Sequence, residues 1–283
     1  MKEYDTLTFT SPHFHSRESC PIKGIITHSM GCSVDGILKT LVHPKMEVSA
    51  HYVVSNLSGA KLQEQCPDLV GNITLKYPER APVIQVVHPQ ERAWHAGCSQ
   101  FADWNDRLPG CARGLNSCTI GIEFAVPGYG AGGDLYNFVP FNAVQAATGI
   151  ALIQDLVNEY DIPSHCVLAH STIAPGRKTD PGPLFFWKEL NDAGLGYLPT
   201  PVDPEVSPTI EHVQQQLYSI GFISCPQNGL LDQETQDCID AYRKQFVCED
   251  WQEKGQPISD KFIASLNGFV FNNENESRKY YLK

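Results

Sequence analysis

The chain has 283 residues, of which 42% are hydrophobic and 19% charged, enough for about two domains at roughly 150 residues each. That composition excludes global disorder, and the longest apolar runs stop well short of the roughly 20 residues a membrane span needs. With 21 Lys and Arg against 32 Asp and Glu, the net charge is −11, and without a basic cluster this argues against nucleic acid as a partner.

Ile22 to Thr27 is β-rich and apolar and ends on His28. Ser49 to Ser55 and Val83 to Val87 read as further strands. Between them, residues 57–82 show little periodicity and read as a long surface insertion. Thr119 to Phe124 alternates with period two, placing Ile120, Ile122 and Phe124 on one face and Thr119, Gly121 and Glu123 on the other. Asn142 to Tyr160 carries Val144, Ala147, Ala151, Leu152 and Leu156 at helical spacing and closes at Asp161-Ile162-Pro163. Cys166 to Ala169 then reads as a short buried strand ending on His170. Strands alternating with helices predict an α/β domain over residues 1–198, with a mixed central sheet flanked by helices.

Pro199, Pro201, Pro204 and Pro208 mark residues 199–208 as an extended linker, because such a run cannot pass through a helix or a central strand. Residues 209–283 predict a small all-α domain of three helices. Thr209 to Ile220 turns Ile210, Val213, Leu217 and Ile220 inward and stops at Gly221. Asn228-Gly229 marks a turn. Asp232 to Phe246 places Thr235, Ile239, Tyr242 and Phe246 on one side, and Ser259 caps a third helix to Leu266. The polar tail from Asn272 to Lys283 is expected to be loosely held.

The ten cysteines include no C-x-x-C pair, which disfavours zinc ribbons and thioredoxin-like redox motifs. Their even number fits disulfides in an oxidising compartment. Cys98/Cys111 and Cys225/Cys238 are open between disulfides and separate thiols, and Cys166, in an apolar run, reads as a packed thiol. The first residues lack a basic stretch followed by an apolar one, so no secretory signal is expected in this chain.

H-E-x-x-H, G-x-S-x-G, G-x-x-x-x-G-K-[ST] and a strand-turn-helix G-x-G-x-x-G are all missing. Polar residues instead stand where apolar strands end: His28 after Gly-Ile-Ile-Thr, His170 after Cys-Val-Leu-Ala, and Glu123 on a polar strand face. Burying such groups carries a desolvation cost unless each has a partner. In the rigid segment from Ala169 to Pro183, an extended backbone projects Lys178 and Asp180 to the same side. A carboxylate there can join two imidazoles around Zn²⁺ with a fourth position left for water, the arrangement of a catalytic zinc. Lys178 would then stand near an oxyanion formed at that metal.

Gly24-Ile-Ile-Thr-His28, Val48-Ser-Ala-His-Tyr52, Ala93-Trp-His-Ala-Gly97, Asn116-Ser-Cys-Thr-Ile-Gly-Ile-Glu123 and the segment from His170 to Pro183 occur in an order that resembles a known family. It is that of the zinc-dependent N-acetylmuramoyl-L-alanine amidases of the second type, related to phage lysozyme-type amidases and the peptidoglycan recognition proteins. The resemblance spans roughly residues 20–190. It implies one Zn²⁺ per chain held by His28, His170 and Asp180, with Glu123 and Lys178 as catalytic side chains. The implied reaction cleaves the amide between N-acetylmuramic acid and L-alanine of the peptidoglycan stem peptide. Trp94, His95 and Asn116 match positions near the substrate groove. Residues 209–283 resemble a peptidoglycan-binding domain of three helices, through Val213-Gln-Gln-Gln-Leu217, Gly221-Phe222 and Asn228 to Thr235.

The implied partner is therefore peptidoglycan or its muropeptides, and the implied location is the bacterial periplasm, the outer envelope or outside the cell, with the cytoplasm as the alternative. Taken singly, a histidine is more often a satisfied structural residue than a ligand; His51 and His95 stay open between support and substrate contact. A rival reading is a wall-sensing module that binds muropeptides without cutting them. Another is a cysteine-dependent hydrolase using His51 or His95, which would survive a chelator and succumb to alkylation.

Overall fold

The computed structural model describes residues 2–104 and 114–275. Strands β1 (Thr6–Thr8), β2 (Phe14–Ser16) and β3 (Gly24–Met30) lead into helix α1 (Val34–Val42), capped by Ser33. After β4 (Tyr52–Val54) come α2 (Gly59–Gln65), α3 (Pro67–Val70), β5 (Val83–Gln85), β6 (Glu91–Ala93) and β7 (Thr119–Ala125). Helix α4 (Ala143–Tyr160), β8 (Val167–Ala169), α5 (His170–Ile173) and α6 (Trp187–Asp192) follow. The chain ends in α7 (Ile210–Ser219), α8 (Gln233–Phe246) and α9 (Asp260–Asn275).

Six strands form a mixed sheet in the order β1-β5-β4-β7-β3-β8, while β2 pairs with β6 in a separate ribbon. Only β4 and β5 run antiparallel in the larger sheet; the neighbours β4-β7-β3-β8 are all parallel. Strand β7 is buried along its whole length, as parallel strands covered on both faces are. Ile120, Ile122 and Phe124 pack in one core cluster with Leu152, Ile153 and Leu156 of α4. On the opposite face Val53 and Ile84 pack against Ile37, Leu38 and Leu41 of α1. The expected sheet between helical layers is present.

Residues 57–82 depart from the expected irregular insertion, because α2 and α3 lie within it. Ser58 caps α2 on the Lys61 N–H, and Leu62 and Val70 turn into the core. Helices of seven and four residues are too short to leave a readable period. Helix α9 likewise runs on to Asn275, so residues 272–275 are helical and not a loose tail. Ser259 caps it as expected, accepting from the Phe262 N–H at 3.1 Å. Cys111 and residues 276–283 lie outside the described residues.

The three C-terminal helices do not hang from the linker. Phe222 meets Phe101 with ring centroids 6.0 Å apart, and the Ala102 N–H donates to the Gly221 carbonyl at 2.9 Å. Gly221 has a φ of +116°, and a Cβ there would sit 2.6 Å from the Phe101 ring; hence only glycine fits. The linker itself is pinned to α9, with the Val202 N–H on the Ala264 carbonyl and Asn267 donating to the Val202 carbonyl. Tyr242, Phe246, Phe262 and Phe269 join the same apolar cluster as the sheet. Thermal unfolding of the whole chain is therefore expected as one transition with a shared midpoint by far-UV and near-UV circular dichroism. Two resolved steps would show that the helices hold a separate core.

Candidate active site

Strand register assembles the site. In the parallel pairing of β3 and β7, His28 stands directly opposite Glu123, and Thr27 pairs with Ala169 of β8, which brings the next residues, His28 and His170, to one level. In-register residues on parallel strands point to the same face, with the strands about 4.8 Å apart. Three polar side chains from distant parts of the chain thus share one row at the C-terminal ends of three adjacent strands, where open α/β sheets place their ligands. Asp180 reaches the row from the following loop, its carbonyl accepting from the Ser171 N–H at 3.0 Å.

The Nδ1 atoms of His28 and His170 are 2.9 Å apart, and Asp180 Oδ2 lies 3.4 Å and 3.1 Å from them. A tetrahedral ion with bonds of about 2.0–2.2 Å holds its ligand atoms about 3.3–3.6 Å apart; the three donors converge on one point and need to spread by only a few tenths of an ångström to reach that spacing. All three residues are buried, at 1%, 4% and 8% exposure. Burial, with His170 alongside, lowers the His28 pKa to about 4. Its imidazole is therefore neutral near pH 7, the form that ligates metal. Burial works against the charge of Asp180, but the two imidazoles outweigh it and hold its carboxyl well below the usual range. The neutral His28 imidazole, the neighbouring His170 imidazole and the Asp180 carboxylate form a donor set that a divalent cation fits.

The layer behind these donors is equally ordered. His28 Nε2 lies 3.0 Å from His95 Nδ1, and His95 Nε2 lies 3.3 Å from Thr119 Oγ1, which donates to the Leu115 carbonyl. With His28 Nδ1 given to a cation, its Nε2–H donates to His95, an outer hydrogen bond of the kind that fixes a ligating ring. His170 Nε2 faces the Ala96 carbonyl at 3.3 Å, where Arg177 also donates at 2.8 Å. Gly121 makes room for this layer, since a Cβ on it would collide with the His95 ring. Asn116 accepts from the N–H groups of His95 and Ala96, at 3.0 and 2.7 Å, so it holds the loop that carries His95. His51 lies deeper, accepting from the Gly121 N–H at 2.9 Å. Arg17, absent from the sequence reading, is buried and donates to the carbonyls of Pro89, Asn116, Ser117 and Thr119. A lone arginine in a polar stretch gives no sequence signal for such a role.

The cleft that contains the donors is also lined by Trp94, His95, Glu123, Lys178, Leu41 and Val48. Trp94 packs against the rings of His13 and His15, and its Nε1 is buried without a hydrogen-bond partner among the described residues. Glu123 Oε2 is also buried without one. Burial, then the nearby Asp180 charge, raises the Glu123 carboxyl to about 8, with Lys178 acting in the opposite direction. Tyr129, which the sequence reading missed, bounds the same region and shares a 2.6 Å hydrogen bond with Thr179.

The family model described as N-acetylmuramoyl-L-alanine amidase matches residues 18–183. N-acetylmuramoyl-L-alanine amidase AmiD of Escherichia coli is 30% identical over 256 residues, covering 80% of this chain and 83% of that protein. The solved complex of E. coli AmiD with the substrate anhydro-N-acetylmuramic acid-L-Ala-D-gamma-Glu-L-Lys superposes with a TM-score of 0.65 at 26% identity, over 91% of this chain and 90% of that one. AmpDh3 of Pseudomonas aeruginosa, solved with anhydromuramic pentapeptide, shares the fold with a TM-score of 0.68 at 22% identity, covering 94% of this chain and 95% of that one.

The environment of Glu123 fixes a pH dependence. A folded-state pKa of about 8 against an ordinary 4.5 means that the native protein keeps a proton which the unfolded chain has lost in that window. Stability of the metal-free protein should therefore fall as pH rises from about 4.5 to about 8. Glu123→Gln, neutral throughout, should remove this slope and be the more stable protein at pH 8, by on the order of a few kcal/mol. Urea unfolding of both proteins at several pH values checks this, and parallel profiles would contradict it.

Proposed function

The chain belongs to the N-acetylmuramoyl-L-alanine amidase family, and we propose that it hydrolyses the amide between N-acetylmuramic acid and L-alanine of the stem peptide with one zinc ion per chain. The observation that carries the proposal is the convergence of His28, His170 and Asp180 donor atoms within 2.9–3.4 Å of one another. These three residues would hold the ion. When bound, zinc supplies Lewis-acid polarisation of a carbonyl and acidifies a water ligand.

The remaining chemistry belongs to side chains. Glu123, level with His28 on the neighbouring strand, accepts a proton from the attacking water and delivers it to the leaving amine, the work of a positioned general base and acid. With a cation bound beside it the carboxylate form of Glu123 would be favoured, while the burial that raises its pKa to about 8 in the metal-free protein keeps it basic enough to take the proton and then pass it on. Lys178 lines the same cleft, and its ammonium offsets negative charge developing on the substrate oxygen. Trp94 gives the groove an aromatic wall for substrate. His95 and Asn116 serve the groove from behind, through the loop they order.

Muropeptides are the favoured substrates, since the solved AmiD complex holds an anhydromuramyl peptide. We assign catalysis to residues 1–198, a linker role to 199–208 and peptidoglycan binding to 209–283. Such a pairing suits work at the bacterial envelope, in the periplasm, on the outer surface or outside the cell. No helix among the described residues is long and apolar enough to cross a membrane.

Digestion of purified muropeptides, with products identified by mass, tests the reaction. Free stem peptide and intact sugar are expected; a chelator should abolish their release and added zinc restore it. Released disaccharide, or activity that survives chelation and dies on thiol alkylation, would overturn the assignment. Glu123→Ala is expected to lower kcat by about 10²–10⁴-fold, and Lys178→Ala by up to about 10³-fold, each with the His28-His170-Asp180 donor set intact by metal titration.

A further inference from the structure

Among the described residues strand β8 is an edge strand, paired only with β3, and His170 follows it directly. The backbone groups on its outer side would be buried without partners, at a cost in stability, unless another element supplied them. Their partner is the carboxamide of Gln245 in the last turn of α8. Its Nε2 donates to the Val167 carbonyl at 3.1 Å, and its Oε1 accepts from the Ala169 N–H at 2.9 Å. These are the two groups that one residue of a further parallel strand would engage, so a single side-chain amide stands in for a missing peptide unit. The same Oε1 accepts from the Thr172 hydroxyl at 2.6 Å, in the first turn of α5 beyond His170. Gln245 is fully buried.

We propose that Gln245 is a positioning residue of the active site, clamping both sides of His170 from the helical region, so that this region completes the catalytic geometry as well as following it in the chain. Glutamine is the side chain the position requires, because one group must donate and accept at once. Glutamate when ionised loses the donor, and leucine loses both functions. A second contact from α8 points the same way. Gly176, in the loop between His170 and Asp180, packs its backbone so closely on Asp237 that a Cβ there would collide with the carboxylate. Helix α8 therefore touches the segment that links two of the three donors twice, at Thr172 and at Gly176.

The inference rests on the zinc reading above, and the experiment separates the two. Full-length wild type, Gln245→Leu and Thr172→Val are compared for zinc affinity by chelator competition, for kcat and KM on a soluble muropeptide, and for Tm. Gln245→Leu is expected to lose tenfold or more in zinc affinity and in kcat, with KM held within twofold. Thr172→Val, which removes one of the three hydrogen bonds, should move the same two quantities by a smaller factor. If both variants keep wild-type zinc affinity and kcat and lose only Tm, Gln245 is structural and the inference fails. If Gln245→Leu does not fold, Thr172→Val decides by the same criterion. A wild type that binds no zinc would sink the functional reading instead.

Discussion

The parallel register of β7, β3 and β8 is the constraint on which the site depends. It sets His28 against Glu123 and brings His170 level with both. A slip of one residue in β3 would turn His28 to the opposite face of the sheet. Nothing local to the three residues could restore the site after that. The register is fixed by apolar burial on both faces, where Ile120, Ile122 and Phe124 meet α4 and Val53 meets α1. Core packing and the geometry of this row are thus one requirement.

Within that row the protein gives its two carboxyl groups opposite characters. Both are buried, yet the imidazoles of His170 and His28 hold the Asp180 carboxyl well below its usual range against that burial, whereas burial and the nearby Asp180 charge push Glu123 up to about 8. Carboxyl groups whose environments drive their pKa values apart are the usual mark of divided duties, one holding charge and one exchanging a proton. Burial likewise lowers the pKa values of His28, His51 and His95 together.

The helical region is built into this arrangement. Its aromatic residues continue the apolar cluster of the sheet, its Gly221 receives the Phe101 ring, and its Gln245 completes the open edge of β8. A region attached by a proline-rich connection can still be rigidly placed when backbone hydrogen bonds pin that connection, as they do at Val202.

The sequence by itself determined the alternation of strands and helices and the long helices, because periodicity and capping are local properties. Asn142, Thr209 and Asp232, where the spacing begins those helices, prove to be their N-caps. The polar face of β7, Thr119, Gly121 and Glu123, was equally legible, and it is the face turned to His95 and the cleft. The short helices α2 and α3 were not legible, since neither spans enough turns to show a pattern. Only the tertiary structure decided which strands adjoin, which residue stands opposite His28, how His95 and Arg17 brace the donors, and that an amide 75 residues beyond His170 closes the sheet edge beside it. Those facts join residues far apart in the chain, and they follow from packing and from the need to pair every buried polar group, neither of which leaves a periodic trace.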